Sequence, residues 1–148
     1  MQHPLLMINL MSALYWFDEA LQSHLKVGGW DALTRTQSLV MANIAAGEHR
    51  LTRIARNLGV TRQATSQMLG EMERRGLIVI KLDPDDRRAR IIDFSPDTER
   101  LRVVAVDLLR EFERQLGERI GPERFNALRA ALEVDWGPAP QPKAPAAK

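Results

Sequence analysis

The chain has 148 residues, enough for one domain of ordinary size, and its 45% hydrophobic and 27% charged residues give a globular balance rather than a disordered one. It contains no cysteine, which excludes disulfides, thiolate metal ligands and any thiol-based redox switch. The formal net charge is only +2, but residues 50–90 hold ten Lys/Arg against five Asp/Glu, while the remaining residues hold eleven against fourteen. A positive field concentrated on one segment is what contact with phosphates requires.

In chain order, the first predicted helix covers roughly Pro4 to Lys26. Met7, Leu10, Met11, Leu14, Phe17, Leu21 and Leu25 recur at three- and four-residue steps and form one apolar stripe. Its apolar start, Leu5 to Leu14, is too short to span a bilayer and lacks signal-peptide flanks, so a soluble, cytoplasmic protein without membrane contact is expected. Gly28-Gly29 ends this helix. Thr34 with Gln37 three places on is a capping box for a second helix reaching about Ala46. Thr52 is expected to cap a short third helix with Ile54, Ala55 and Leu58 inward. Gly59 supplies a turn, and Thr61 caps a fourth helix ending near Arg75-Gly76.

Leu77–Leu82 and Arg90–Phe94 read as two strands around a charged turn, a hairpin. Ser95-Pro96 is a helix start, with a capping hydroxyl, Pro at the first helical position and acids in the first turn. The long helix that follows runs to about Ile120. Gly121-Pro122 breaks it, and a last helix reaches about Trp136. The expected fold is mainly α with a small β-hairpin wing. Residues 1–33 form an N-terminal dimerisation helix and linker, and 34–95 a winged helix-turn-helix DNA-binding domain. Residues 96–136 form C-terminal dimerisation helices, and 137–148 a disordered Pro/Ala/Lys tail.

Two short helices joined by a Gly turn and followed by a basic hairpin offer a duplex one helix for the major groove and one loop for the minor groove. At 100° per residue, Ala64, Met68 and Met72 fall on one side of the fourth helix with Thr65 at the border, and Arg62, Gln63, Ser66 and Gly70 fall on the other. Arg and Gln are the types that pair bidentately with guanine and adenine edges, and Thr61 and Ser66 can reach phosphates. The candidate major-groove set is therefore Thr61, Arg62, Gln63, Ser66 and Gln67. In the hairpin, Arg87 is the candidate for minor-groove insertion, Asp85 for orienting its guanidinium, and Arg88 for the backbone, with Arg90 beside them.

The run LTRIARNLGVTRQATSQMLGEMERRGLI, then DPDDRRAR and FSP, resembles the winged-helix core of MarR-type regulators over about Leu51 to Pro96. Asp85-Asp86-Arg87 is similar to that family's D-x-R wing signature. The resemblance implies a homodimer on a palindromic operator, usually a repressor that small molecules release, with Arg62, Gln63 and Ser66 toward the major groove and Arg87 toward the minor groove. Ser38 departs from the bulky aromatic that many relatives carry. Lacking cysteine, the chain stands outside the thiol-oxidised branch.

The long helix carries Leu101, Val104, Ala105, Leu108, Leu109, Phe112, Leu116 and Ile120 in one stripe, and Phe125, Leu128, Leu132 and Trp136 continue the pattern on the last helix. This is more apolar surface than the reading unit can cover, so Leu10, Leu14, Leu108, Phe112, Leu116, Phe125, Leu128 and Leu132 are expected at a homodimer interface. Tyr15, Trp16, Phe17 and Trp30 are candidates to line a pocket for a small aromatic acid or phenol. His3, His24 and His49 are scattered, with no metal-ligand spacing, phosphate-cradling loop or nucleophile elbow. No catalytic residue, metal or cofactor is expected, and the chain reads as a non-enzyme. The competing reading is a winged-helix protein–protein adaptor without specific DNA binding.

Overall fold

The computed structural model describes residues 4–142. The elements in order are helices α1 (Leu6–Val27), α2 (Arg35–Ala45), α3 (Leu51–Leu58) and α4 (Arg62–Arg74), strands β1 (Ile78–Leu82) and β2 (Arg90–Phe94), a 3-10 turn at Pro96–Thr98, then α5 (Glu99–Ile120) and α6 (Pro122–Glu133). The chain divides into two compact units, Met1–Arg110 and Glu111–Lys148.

The local signals place most of these boundaries. Thr34 accepts from the Gln37 N–H at 3.2 Å, and the Gln37 side chain accepts from the Thr34 N–H at 3.0 Å, a complete capping box. Thr61 caps α4 by accepting from the Ala64 N–H. Between α3 and α4, Gly59 takes φ +65°, a left-handed conformation that lets the Val60 N–H reach back to the Ala55 carbonyl. The start of α3 differs from the expectation. Arg50, not Thr52, is its N-cap, and its own N–H is taken by the Glu48 carboxylate at 3.0 Å. Ser95 accepts from the Asp97 N–H and opens the 3-10 turn ahead of α5.

The core of the first unit gathers Leu25, Val40, Ile44, Ile54, Leu69, Met72, Ile78 and Ile92. Each such aliphatic is worth about 1.5–3 kcal/mol when fully buried. The hairpin pairs antiparallel with Ile78 opposite Phe94 and Ile80 opposite Ile92, so alternate residues face this core. An isolated bridge from Arg50 to Ile91 adds a short third edge, helped by the Ile92 N–H donating to the His49 carbonyl. Leu108 packs against the same core.

In the second unit, the aromatic ring of Phe125 lies over Gly117, 3.6 Å from where a Cβ would stand, and Arg129 reaches the Glu113 carboxylate. Arg114 is bonded to both Glu111 and Glu118. Its guanidinium holds the Glu111 carboxyl down to about 2. The last helix stops at Glu133, three residues short of the expected Trp136, whose indole N–H instead returns to the Ala131 carbonyl. Residues 137–142 form no helix or strand, and the rest of the expected tail, 143–148, lies outside the described residues.

Leu69 is wholly buried where α4 meets the core. Leu69→Ala is expected to lower the unfolding free energy by about 2–5 kcal/mol, read as a reduced midpoint in urea with little change of slope.

Candidate nucleic-acid interface

The fourth helix presents two faces of opposite character. Thr65, Leu69 and Met72 are buried, and Met68 is partly so. The buried stripe is centred one residue on from the expected one, and Ala64 lies exposed. Thr65 can occupy the interior because its hydroxyl donates to the Thr61 carbonyl at 2.9 Å, which satisfies it within its own helix. Opposite this stripe, Thr61, Arg62, Gln63, Ser66 and Gln67 are all exposed. Gly70 continues that edge, and a Cβ added there would meet only the Arg74 guanidinium, at 3.6 Å. Its missing side chain therefore serves no packing need of the protein itself.

The wing is the loop between β1 and β2. The Ala89 N–H donates to the Asp86 carbonyl at 2.8 Å, so Arg87 and Arg88 are the two central residues of a β-turn at the tip. The Asp86 carboxylate accepts from the Arg88 N–H at 3.0 Å, and the Asp83 carboxylate from the Asp85 N–H at 2.9 Å. These carboxylates cap the loop's own backbone, as Asp side chains do in tight turns. Asp83 is buried, and its second oxygen lies 3.3 Å from Arg50, which fastens the wing's base to the start of α3.

The expected Asp85–Arg87 ion pair does not form among the described residues. The two-residue relation that exists is between Asp86 and Arg88, because the turn needs that carboxylate for its N–H groups. Arg87, Arg88 and Arg90 are all exposed. The basic side chains counted in the sequence are accordingly mostly free of the core: Arg53, Arg56, Arg74 and Lys81 are exposed as well. Arg75 is the exception and is tied to the start of α2.

The four aromatic residues expected to line a pocket do not come together. Trp16 and Phe17 form an edge-on pair at 4.8 Å. Tyr15 stacks under Arg35, and Trp30 borders a separate cleft beside Gly28, Gly29 and Arg100. Helical spacing put them on one stretch of chain but could not choose which way each turns. The apolar cavity lies elsewhere in this unit, about 400 Å³, walled by Leu21, Leu25, Leu33, Ser38, Met41, Phe94, Leu101, Arg102 and Leu109 among others. Arg102 stacks on Phe94 at 4.6 Å, and its buried Nε–H has no hydrogen-bond partner.

Two expected interface residues are already covered by their own chain. Phe112, in the second unit, is buried at 3% exposure, and Leu108 packs on the core of the first unit. Leu14, Leu128 and Leu132 are exposed, whereas Leu10, Leu116 and Phe125 are half-buried. Among the described residues, no helix is long and apolar enough to cross a membrane, and no group of three or more His, Asp or Glu is placed to hold a metal.

Sequence reasoning missed the Arg50–Asp83 tie. The one local clue was Asp83 before Pro84, a pattern that favours a side-chain-capped turn. Asp83→Ala orphans the Asp85 N–H and frees the wing's base. A loss of about 1–3 kcal/mol is expected, together with faster amide exchange over residues 85–89 than over the core of α4.

The MarR family profile matches residues 33–89. No curated protein matches the chain by sequence. Among solved structures, it is similar to the transcriptional repressor CouR bound to a 23-mer DNA duplex, at 28% identity over 86% of this chain and 89% of that one, with TM-score 0.65. It also resembles NadR in complex with 4-hydroxyphenylacetate, at 19% identity over 89% and 92% of the two chains, TM-score 0.69. Apo MarR from E. coli matches at 16% identity over 89% and 97%, TM-score 0.63. The helix-turn-helix and the wing as far as its β-turn thus coincide with the segment that matches the MarR family, and the chain shares the winged-helix fold of these structures.

Proposed function

We propose that the chain is a homodimeric, sequence-specific repressor that binds a palindromic operator and is released by a small aromatic acid or phenol. The observation that carries the DNA reading is the division of α4: its apolar face is consumed by the core, which leaves Arg62, Gln63, Ser66 and Gln67 outward as an unbroken polar edge. Thr61 and the helix N-terminus meet phosphate, Arg62 and Gln63 meet base edges, and the wing arginines enter the adjacent minor groove. Both CouR, a repressor carrying a DNA duplex, and the local excess of positive charge support this over an adaptor role.

Dimerisation is supported by uncovered apolar side chains on both α1 and α6. Leu6 and Met7 are 63% and 66% exposed, and Leu128 and Leu132 are 43% and 51% exposed. A single reading helix spans too few base pairs for useful specificity, and two-fold pairing doubles the site. The effector reading is supported by the apolar cavity, whose one ionic lining residue is Arg102, with a buried Nε–H that has no hydrogen-bond partner. NadR, with 4-hydroxyphenylacetate bound, is a structural neighbour in which an aromatic acid is held.

Selection of bound duplexes from a random pool is expected to return a palindrome, and failure to retain any duplex at low salt favours the adaptor. On that palindrome, Gly70→Leu is expected to weaken binding at least about tenfold while leaving thermal stability equal or higher, since glycine costs a helix about 1 kcal/mol. Light scattering is expected to give twice the chain mass at micromolar concentration, and a single-chain mass would remove the dimer from the proposal.

A further inference from the structure

Residues 32–38, the end of the α1–α2 linker and the first turn of α2, are gripped from two sides by side chains that the proposed contacts with DNA do not use. From α1, Gln22 accepts from the Leu33 N–H at 3.0 Å and donates to the Ser38 hydroxyl at 2.8 Å. From the end of α4, Arg75 donates to the Ala32 carbonyl at 3.1 Å and to the Gln37 side-chain oxygen at 3.2 Å. That same Gln37 oxygen accepts from the Thr34 N–H and closes the capping box. Gln37 is buried at 3% exposure. A continuous series of hydrogen bonds thus runs from α1, through the first turn of α2, to the C-cap of the reading helix.

Two features make this series directional. The Arg75 guanidinium is a rigid planar fork, so two acceptors on the 32–38 segment set its orientation and with it the last turn of α4. The Gln37 oxygen serves two donors with its two lone pairs, so any shift of the α2 N-cap is felt by Arg75. At the other end, Leu33 and Ser38 are part of the wall of the 400 Å³ cavity. Ser38 and Arg102 are the polar residues on a wall otherwise made of apolar side chains, and the Ser38 hydroxyl accepts from Gln22.

We propose that Gln22 and Arg75 are positioning residues of the reading helix, joined through residues 32–38 into a polar relay that reports the state of the cavity wall to the C-terminal turn of α4. This rests on the reading of α4 as the DNA-contacting element. An occupant that donates to the Ser38 oxygen in place of Gln22 breaks the bond between them. The α2 N-cap then loses one restraint, and Arg75 loses the fixed pair of acceptors that orients it. Gln22 and Arg75 share no hydrogen bond with each other, so without the relay their effects on DNA binding are independent.

The test is a double-mutant cycle on the duplex selected above, using Gln22→Met, Arg75→Met and the pair. Each single change is expected to weaken binding about five- to twenty-fold, and the double variant to be no weaker than the poorer single. A double variant whose loss equals the product of the two singles overturns the relay. Gln22→Glu can still accept from Leu33 and now takes the Ser38 hydroxyl as a donor, so it is expected to stay within about two-fold of the parent. A loss equal to that of Gln22→Met overturns the assignment to hydrogen bonding.

Ser38→Ala gives a second cavity-side variant with the same expectation, should Gln22→Met fold poorly. Amide exchange without DNA separates this proposal from the functional one. Gln22→Met is expected to speed exchange at Arg75 and Gly76, remote from it in sequence. Unchanged rates there overturn the relay whether or not any duplex binds, whereas absence of duplex binding by the parent chain removes the DNA reading alone.

Discussion

The structure depends on how α4 spends its apolar face. Leu69 and Met72 are wholly buried, and Thr65 joins them because its hydroxyl is satisfied by its own helix. Burial on one side of a helix fixes the azimuth of every other side chain on it, since neighbours are locked at about 100° steps. The exposure of Arg62, Gln63, Ser66 and Gln67 is therefore a consequence of the core rather than an independent property. Under the proposed function, the side chains that meet DNA are aimed by residues that the DNA never touches.

The wing is aimed by different means. It has almost no apolar content between Asp83 and Ala89, so packing cannot shape it. Carboxylates do so instead, Asp83 and Asp86 each accepting a backbone N–H two residues on, with Asp83 also paired to Arg50. Two of the acidic residues that dilute the local positive charge in a simple count, Asp83 and Asp86, are therefore structural parts of the loop. Their position explains how a segment with three acids can still present three arginines outward.

Much of the architecture was legible because its signals are local. A capping box at Thr34 and Gln37, a glycine at position 59 and Ser-Pro before α5 each specify a boundary within a few residues. What escaped was non-local or depended on side-chain direction. Periodicity centred the buried face of α4 one residue early, because it treats threonine as polar and alanine as apolar, whereas Thr65 brings its own acceptor and Ala64 does not need to be covered. The pocket was sought among Tyr15, Trp16, Phe17 and Trp30, yet the observed cavity is formed by aliphatic residues from α1, α2 and α5 with Phe94 from the hairpin. Aromatic content shows that a chain can make a pocket and says nothing of where helices leave space. The ties of Arg50 to Asp83 and of Arg75 to Gln37 join residues far apart in sequence, and no one-dimensional pattern records them.

The carboxylate-held turn has a further consequence for recognition. Ordering a backbone costs about 1–2 kcal/mol per residue, and in this loop the cost is met during folding, before any encounter. In the proposed complex, a hairpin tip that arrives already shaped would act as a gauge of groove width: a duplex whose narrow groove matches it would be engaged without further adjustment, and one that does not match would itself have to deform. On that proposal, discrimination at such positions would reside in the mechanics of the nucleic acid, not in hydrogen bonds to its bases.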